Sequence, residues 1–198
     1  QKLFAARNVD VPILLNGMTD RYWLGRYVGG LDVAQHGRTA AWFSLSFLCP
    51  DPRMFSTTET TVETTVDAPI DTFVITPAGN APIDPVFYVW IHDTTAAEIY
   101  ITTADTSLQL RTTGLQTGEW LKVDCSQNVQ AVYSSGLDPL GDPWGEHDYH
   151  IVGSWTLNMA EVWGKFPQLT PGVANTIGLS GFSNGSKCFT VYRSRYWL

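Results

Sequence analysis

Apolar positions in this chain recur in short alternating runs broken by Gly, Pro, Asp and Asn, and not at the three-and-four spacing of an amphipathic helix. The run Ala40 to Cys49 (AAWFSLSFLC) is the strongest strand signal, and prolines at 50 and 52 forbid ladder pairing beyond it. Asp20 to Tyr27 (DRYWLGRY) is an aromatic strand ending near Gly29 and Gly30. Pro85 to His92 (PVFYVWIH) sets Val86, Tyr88 and Trp90 against Phe87, Val89 and Ile91, so both faces are expected to be covered. Thr57 to Val66 (TTETTVETTV) has few large apolar side chains and predicts an edge strand or an extended connection. Short strands follow at Glu98 to Thr102, Ser107 to Arg111, Trp120 to Asp124 and Gln130 to Tyr133. The turn Gln116-Thr117-Gly118-Glu119 is expected to join two of these, 107–111 and 120–124, as neighbours. Residues 136–150 (GLDPLGDPWGEHDYH) hold three glycines and two prolines and predict a loop. Asn175 to Ser180 and Cys188 to Tyr196 close the chain, with a hairpin signal at Asn184-Gly185 between them. Abundant Thr, Val, Ile and aromatic residues with this punctuation predict an all-β chain, a β-sandwich or jelly roll.

Composition narrows the classes. The 198 residues suffice for one generous domain or two small ones, and need no metal to make a core. Charged residues are 16% and aromatics 13%, which excludes disorder as the main state. The net charge of -7 argues against nucleic acid as a partner. No apolar run is long enough to span a membrane. Gln1 to Asp10 lack an apolar signal core and position 1 is not Met, so the expectation is that a segment was removed or the chain begins inside a longer protein. Cys49, Cys125 and Cys188 are odd in number and far apart, without a Cys-x-x-Cys pair, and are read as reduced, buried thiols. Residues 1–53 hold six bases and four acids, residues 54–182 three bases and fifteen acids, and residues 183–198 three bases and no acid. The basic end predicts an edge strand facing an acidic neighbour, or charges placed for solubility. A boundary is expected near residues 50–56.

Little of this chain reads as catalytic. Glu146-His147-Asp148-Tyr149-His150 is the one cluster of titratable groups, but in a Gly/Pro loop no helix aims His147 and His150 at one ion. Asp51, Asp138 and Asp142 each precede a proline, where Asp starts turns; paired acids for glycoside hydrolysis are the competing reading. Neither a nucleophile elbow nor a phosphate loop is present. No enzyme, metal or cofactor is predicted. Of the eight tryptophans, Trp144 in the loop and Trp163 beside Gly164 are the candidates for an interface or glycan contact.

Several segments, in order, resemble the distal tail proteins of long-tailed phages (Dit-like) and the related minor tail proteins of phages infecting actinobacteria. Phe43 to Phe55 (FSLSFLCPDPRMF) looks like their junction of a strand, Asp-Pro-Arg and an aromatic residue. Residues 73–91 (FVITPAGNAPIDPVFYVWI) are similar to the next two strands, and Leu108 to Asp124 to a hairpin. Trp163 to Asn175 (WGKFPQLTPGVAN), Thr176 to Ser180 and Thr190 to Leu198 (TVYRSRYWL) resemble the ending, a Pro-Gly-x-x-Asn turn before two closing strands. The motif positions are Asp51, Pro52, Arg53, Pro171, Gly172, Asn175, Tyr192 and Arg193. The resemblance implies that residues 1–54 are the closing part of an N-terminal ring domain and residues 55–198 a galectin-like β-sandwich. It implies a virion protein of the tail tip, assembled in the host cytoplasm. Its partners would be copies of itself in a hexameric ring, the tail tube protein, and the hub and receptor-binding proteins. The family's ring domain is longer than the piece before Asp51, so its upstream half is expected to be missing or reduced. A carbohydrate-binding module for host cell-wall glycan is the alternative.

Overall fold

The computed structural model describes residues 10–29, 32–36, 40–67, 70–93, 95–111, 115, 117–135, 156–157 and 161–197. The chain is all-β; among the described residues there is no helix, so none that could cross a membrane. It divides into two compact units, Gln1–Thr58 with Arg195–Leu198, and Glu59–Ser194.

The first unit begins with β1 (Val11–Ile13), β2 (Arg21–Tyr27), β3 (Asp32–His36), β4 (Ala40–Ser44), β5 (Phe47–Leu48) and β6 (Met54–Ser56). β2 organises it, pairing antiparallel with β1, β5 and β6, while β3 and β4 form a hairpin of their own. The expected strand Ala40 to Cys49 is therefore two strands. Its first half pairs with β3 and its second half with β2, and the change of partner interrupts the ladder at Leu45 and Ser46.

The second unit contains β7 (Thr60–Thr65), β8 (Ile70–Ile75), β9 (Val86–Trp90), β10 (Glu98–Thr102), β11 (Ser107–Arg111), β12 (Trp120–Asp124), β13 (Ala131–Ser134), β14 (Thr156–Leu157), β15 (Val162–Gly164), β16 (Asn175–Ser180) and β17 (Lys187–Tyr192). One sheet runs β15-β11-β10-β16-β8 and the other β14-β13-β12-β9-β17-β7. Period-two alternation turns Ile99, Ile101, Leu108, Leu110, Ile177 and Leu179 of the first sheet toward Phe87, Val89, Leu121, Val123 and Cys188 of the second, forming one core. The opposite face of the six-stranded sheet has its own aromatic cluster of Trp90, Trp120 and Phe189, with Tyr88 against it. Both faces of the 85–92 run are covered, as its pattern predicts. Among the described residues β7 pairs with β17 alone and is an edge strand, in keeping with its Thr-rich sequence. The three thiols are free; burial pushes Cys188 up to about 12 and Cys125 well above the usual thiol value, whereas Cys49 is only half-buried.

Two expected pairings and the extent of one strand differ. β11 and β12 are not neighbours but lie in opposite sheets. Their connection buries Leu115 in the core, where its N–H donates to Thr95 Oγ1 at 3.1 Å. Asn184-Gly185 is a turn but not a hairpin, because β16 and β17 also lie in opposite sheets. Phe182 enters the core just before it, and Ser183 Oγ donates to the Asp93 carbonyl at 2.8 Å while accepting the Asp93 N–H at 2.9 Å. These contacts hold the turn across the sandwich. Finally, the run Cys188 to Tyr196 breaks after Tyr192. β17 is an internal strand, and the chain then returns to the first unit as β18 (Arg195–Tyr196), paired with β6.

Two glycines share a φ of +82° in different surroundings. A Cβ on Gly118 would meet open space, whereas one on Gly181 would fall on the Glu98 carbonyl oxygen. Gly118→Ala is expected to cost about 1–2 kcal/mol of backbone strain. Gly181→Ala is expected to cost about 2–4 kcal/mol, strain and overpacking together, in denaturant unfolding of the two variants.

Candidate functional site

The Asp51-Pro52-Arg53 junction builds a charged clasp inside the first unit. Arg53, 7% exposed, donates from Nε to Asp51 Oδ1 and from Nη2 to Oδ2, both at 2.7 Å, and its backbone N–H donates to Oδ1 at 3.0 Å. Spacing of two residues across a proline lets one carboxylate take the fork and the backbone together. β18 brings Arg195, also buried, beside this pair, with its guanidinium 5.1 Å from the Phe55 ring. Phe55 stacks on Tyr22 at 5.7 Å, Arg21 lies 3.8 Å over Tyr196, and Arg53 lies 5.8 Å from the Trp197 ring. Two buried arginines thus lie beside one half-buried carboxylate, among aromatic faces. Pro52 is exposed between them. Burial, the largest single influence on Asp51, raises its pKa. The hydrogen bonds from Arg53 and the charges of Arg53 and Arg195 outweigh it, and the carboxyl is held below its ordinary value.

Pro171, Gly172 and Asn175 come together in one turn. Gly172 has φ +73°, the position after proline in a type II turn, and donates to the Pro77 carbonyl at 2.8 Å. Asn175 Oδ1 accepts the Thr170 N–H at 2.8 Å, and Nδ2 donates to the carbonyls of Thr170, Val173 and Ile75 at 2.8, 2.9 and 3.2 Å. Its amide binds both sides of the turn and the neighbouring strand β8. Tyr192 is buried and pairs with Thr60, and Arg193 reaches Glu59 at 3.3 Å. With Lys187 on Glu63 at 2.9 Å, the basic end of the chain does face an acidic strand. These residues fall in the second unit, so the motif positions form three separate structural devices and no single pocket.

Trp163 lies on the edge strand β15, 46% exposed, beside Arg111. Trp144, the Glu146 to His150 cluster, Asp138 and Asp142 lie outside the described residues. Among the described residues no three His, Cys, Asp or Glu side chains gather as a metal site. Sequence reading missed Arg195, Tyr22 and Tyr196 as members of the clasp. Only the aromatic and Arg-rich character of both chain ends hinted at them.

Two predictions follow from this chemistry. Asn175→Ala is expected to cost about 2 kcal/mol, and Asn175→Asp more, since a carboxylate would face three carbonyl oxygens; equal unfolding curves for Asp and wild type would contradict the donor assignment. Because its pKa is lowered on folding, Asp51 contributes stability above the ordinary carboxylate range, and that stability is lost as pH falls through its folded value, below about 4. Asp51→Asn is expected to lose about 1–3 kcal/mol at neutral pH and to show a flatter decline in melting temperature between about pH 4 and pH 2.

No protein-family profile and no curated protein matches the chain. Among solved structures it is similar to SPP1 Dit, whose structure is described as a paradigm of hub adsorption apparatus in phages infecting Gram-positive bacteria. The identity is 18%, the TM-score 0.65, and the match covers 96% of this chain and 66% of that one. On that match, the all-β chain shares the fold of the phage hub protein SPP1 Dit across nearly its whole length.

Proposed function

We propose that this chain is a structural virion protein of a long-tailed phage, a distal tail component that joins the tail tube to the tail tip and its receptor-binding parts. In this reading the first unit is the closing part of a ring-forming domain and the second a galectin-like sandwich. Copies assemble as a hexameric ring, in the host cytoplasm, and act in the virion without catalysis.

The observation that carries the reading is the apolar surface of the first unit. Val11, Leu14, Leu15, Val28, Phe47, Leu48 and Trp197 are all exposed there. Among the residues whose burial is described, only Met54 and Phe55 are buried apolar side chains of that unit, while the second unit holds a full core. Large apolar side chains exposed together on the described surface of one unit suit an element that other chains cover. The fold shared with a phage hub protein supports the same role.

Native mass and negative-stain images of the full chain test it. A closed sixfold ring is expected, and Leu14→Ser with Leu48→Ser is expected to give monomers with an unchanged sandwich melting transition. A dimer, a ring of another order, or a monomer that does not bind the end of purified tail tubes would overturn the reading.

A further inference from the structure

Two turns of this chain share a central dipeptide and a backbone form but not their surroundings. The sequence holds two Asn-Gly pairs, Asn16-Gly17 and Asn184-Gly185. Each fills the middle of a four-residue turn. Met18 N–H donates to the Leu15 carbonyl at 3.0 Å, and Ser186 N–H to the Ser183 carbonyl at 3.1 Å. Gly17 has φ +93° and Gly185 φ +85°, the third position of a type II turn in both.

The second turn is clamped. Gly185 N–H donates to the Val66 carbonyl at 2.7 Å, and Val66 N–H donates to the Ser186 carbonyl, also at 2.7 Å. The His92 ring lies against Gly185, so that a Cβ there would stand 3.1 Å from it. Phe182 and Ser186, on either side, are buried. The first turn is open. Leu14, Leu15, Asn16 and Gly17 are all exposed. A Cβ on Gly17 would meet nothing within 4 Å, and among the described residues the Gly17 N–H has no hydrogen-bond partner.

This difference governs one reaction. The backbone nitrogen of a glycine can attack the side-chain amide carbon of a preceding Asn, once rotation of the peptide between them brings the two atoms together. A bond forms from that nitrogen to Cγ, the bond from Cγ to the side-chain nitrogen breaks, and ammonia leaves with the backbone N–H proton, passed to it through water. The product is a succinimide. Water opens it at either carbonyl, giving aspartate or isoaspartate. In the first turn the rotation exchanges type II for type I, which glycine permits, and leaves the bond from Met18 to Leu15 in place. In the second turn the same rotation would break the bond from Gly185 to Val66. We propose that Asn16 is a site of spontaneous deamidation in the folded chain, by attack of the Gly17 nitrogen, and that Asn184 is locked against it. The product puts a carboxylate beside Leu14 and Leu15, so a chain whose apolar surface stays uncovered gains negative charge there with age. The chemistry rests on the two turns and not on the assembly reading, so either can fail alone.

Peptide mapping by mass spectrometry follows both sites in the wild-type chain during incubation in neutral buffer, folded and in concentrated urea. The folded sample is dilute enough to have the native mass of one chain; where the wild type stays assembled, the full chain with Leu14→Ser and Leu48→Ser takes its place. Folded Asn16 is expected to react within about threefold of its rate in urea, giving both aspartate and isoaspartate. Folded Asn184 is expected to react about tenfold or more slowly than in urea, because its bonds to Val66 must break first. In urea the two sites are expected to react alike. Asn16→Gln is expected to abolish the early product, since its longer side chain closes a larger ring more slowly. The proposal is overturned if folded Asn184 loses its amide as fast as Asn16, if folding slows Asn16 as much as Asn184, or if the two sites differ as much in urea as in the folded chain. Aspartate at position 16 without isoaspartate would equally overturn it, as the mark of direct hydrolysis.

Discussion

The chain's architecture depends on where strands β7 and β17 are placed. They pair with each other over six residues, Thr60 opposite Tyr192, so the sandwich begins and ends at one edge region of a single sheet. Because entry and exit are neighbours, 136 residues can be inserted between β6 and β18 without separating those two strands. Pairing Phe55 with Arg195 closes a long loop, which is entropically unfavourable in an unfolded chain. Once the sandwich has formed and Glu59 has met Arg193, the same pairing spans only a few free residues. The sandwich is therefore the element that makes the first unit's last strand available.

Electrostatics in the two units serve different ends. In the first, a half-buried Asp51 lies beside two buried arginines, Arg53 and Arg195, and removing it would take the nearby anion from both guanidinium groups. In the second, the ion pairs Lys187–Glu63 and Arg193–Glu59 are well exposed and contribute little individually. Their value is directional, since a basic strand beside an acidic one disfavours a slipped or exchanged partner. The acidic composition of the middle of the chain and the basic composition of its end are thus complementary within a single sheet.

Polar staples rather than long ladders hold the turns. Asn175 binds three carbonyls and one N–H around Pro171 and Gly172, and Ser183 binds Asp93 across two sheets. Asn175 follows the Pro171-Gly172 turn, and Ser183 immediately precedes the Asn184-Gly185 turn. The Pro171-Gly172 turn behaves as its local signal suggests; at Asn184-Gly185 the burial of Phe182 carries the chain from one sheet to the other, as the burial of Leu115 does between β11 and β12.

The amino-acid sequence by itself determined the all-β class, most strand positions and the edge character of Thr60–Thr65, because these follow from period-two burial and turn chemistry within a few residues. It also marked Asp51 and Arg53, whose pairing is local. It did not reveal which strands are neighbours. β11 and β12, and likewise β16 and β17, are close in sequence but lie in opposite sheets, since the choice between hairpin and crossover turns on which side chain, Leu115 or Phe182, reaches a core assembled from distant segments. Nor did it place Arg195 beside Asp51 or Arg111 and Glu98 beside Trp163. Those contacts exist only through strand register, a property of paired chains that no single stretch of sequence contains.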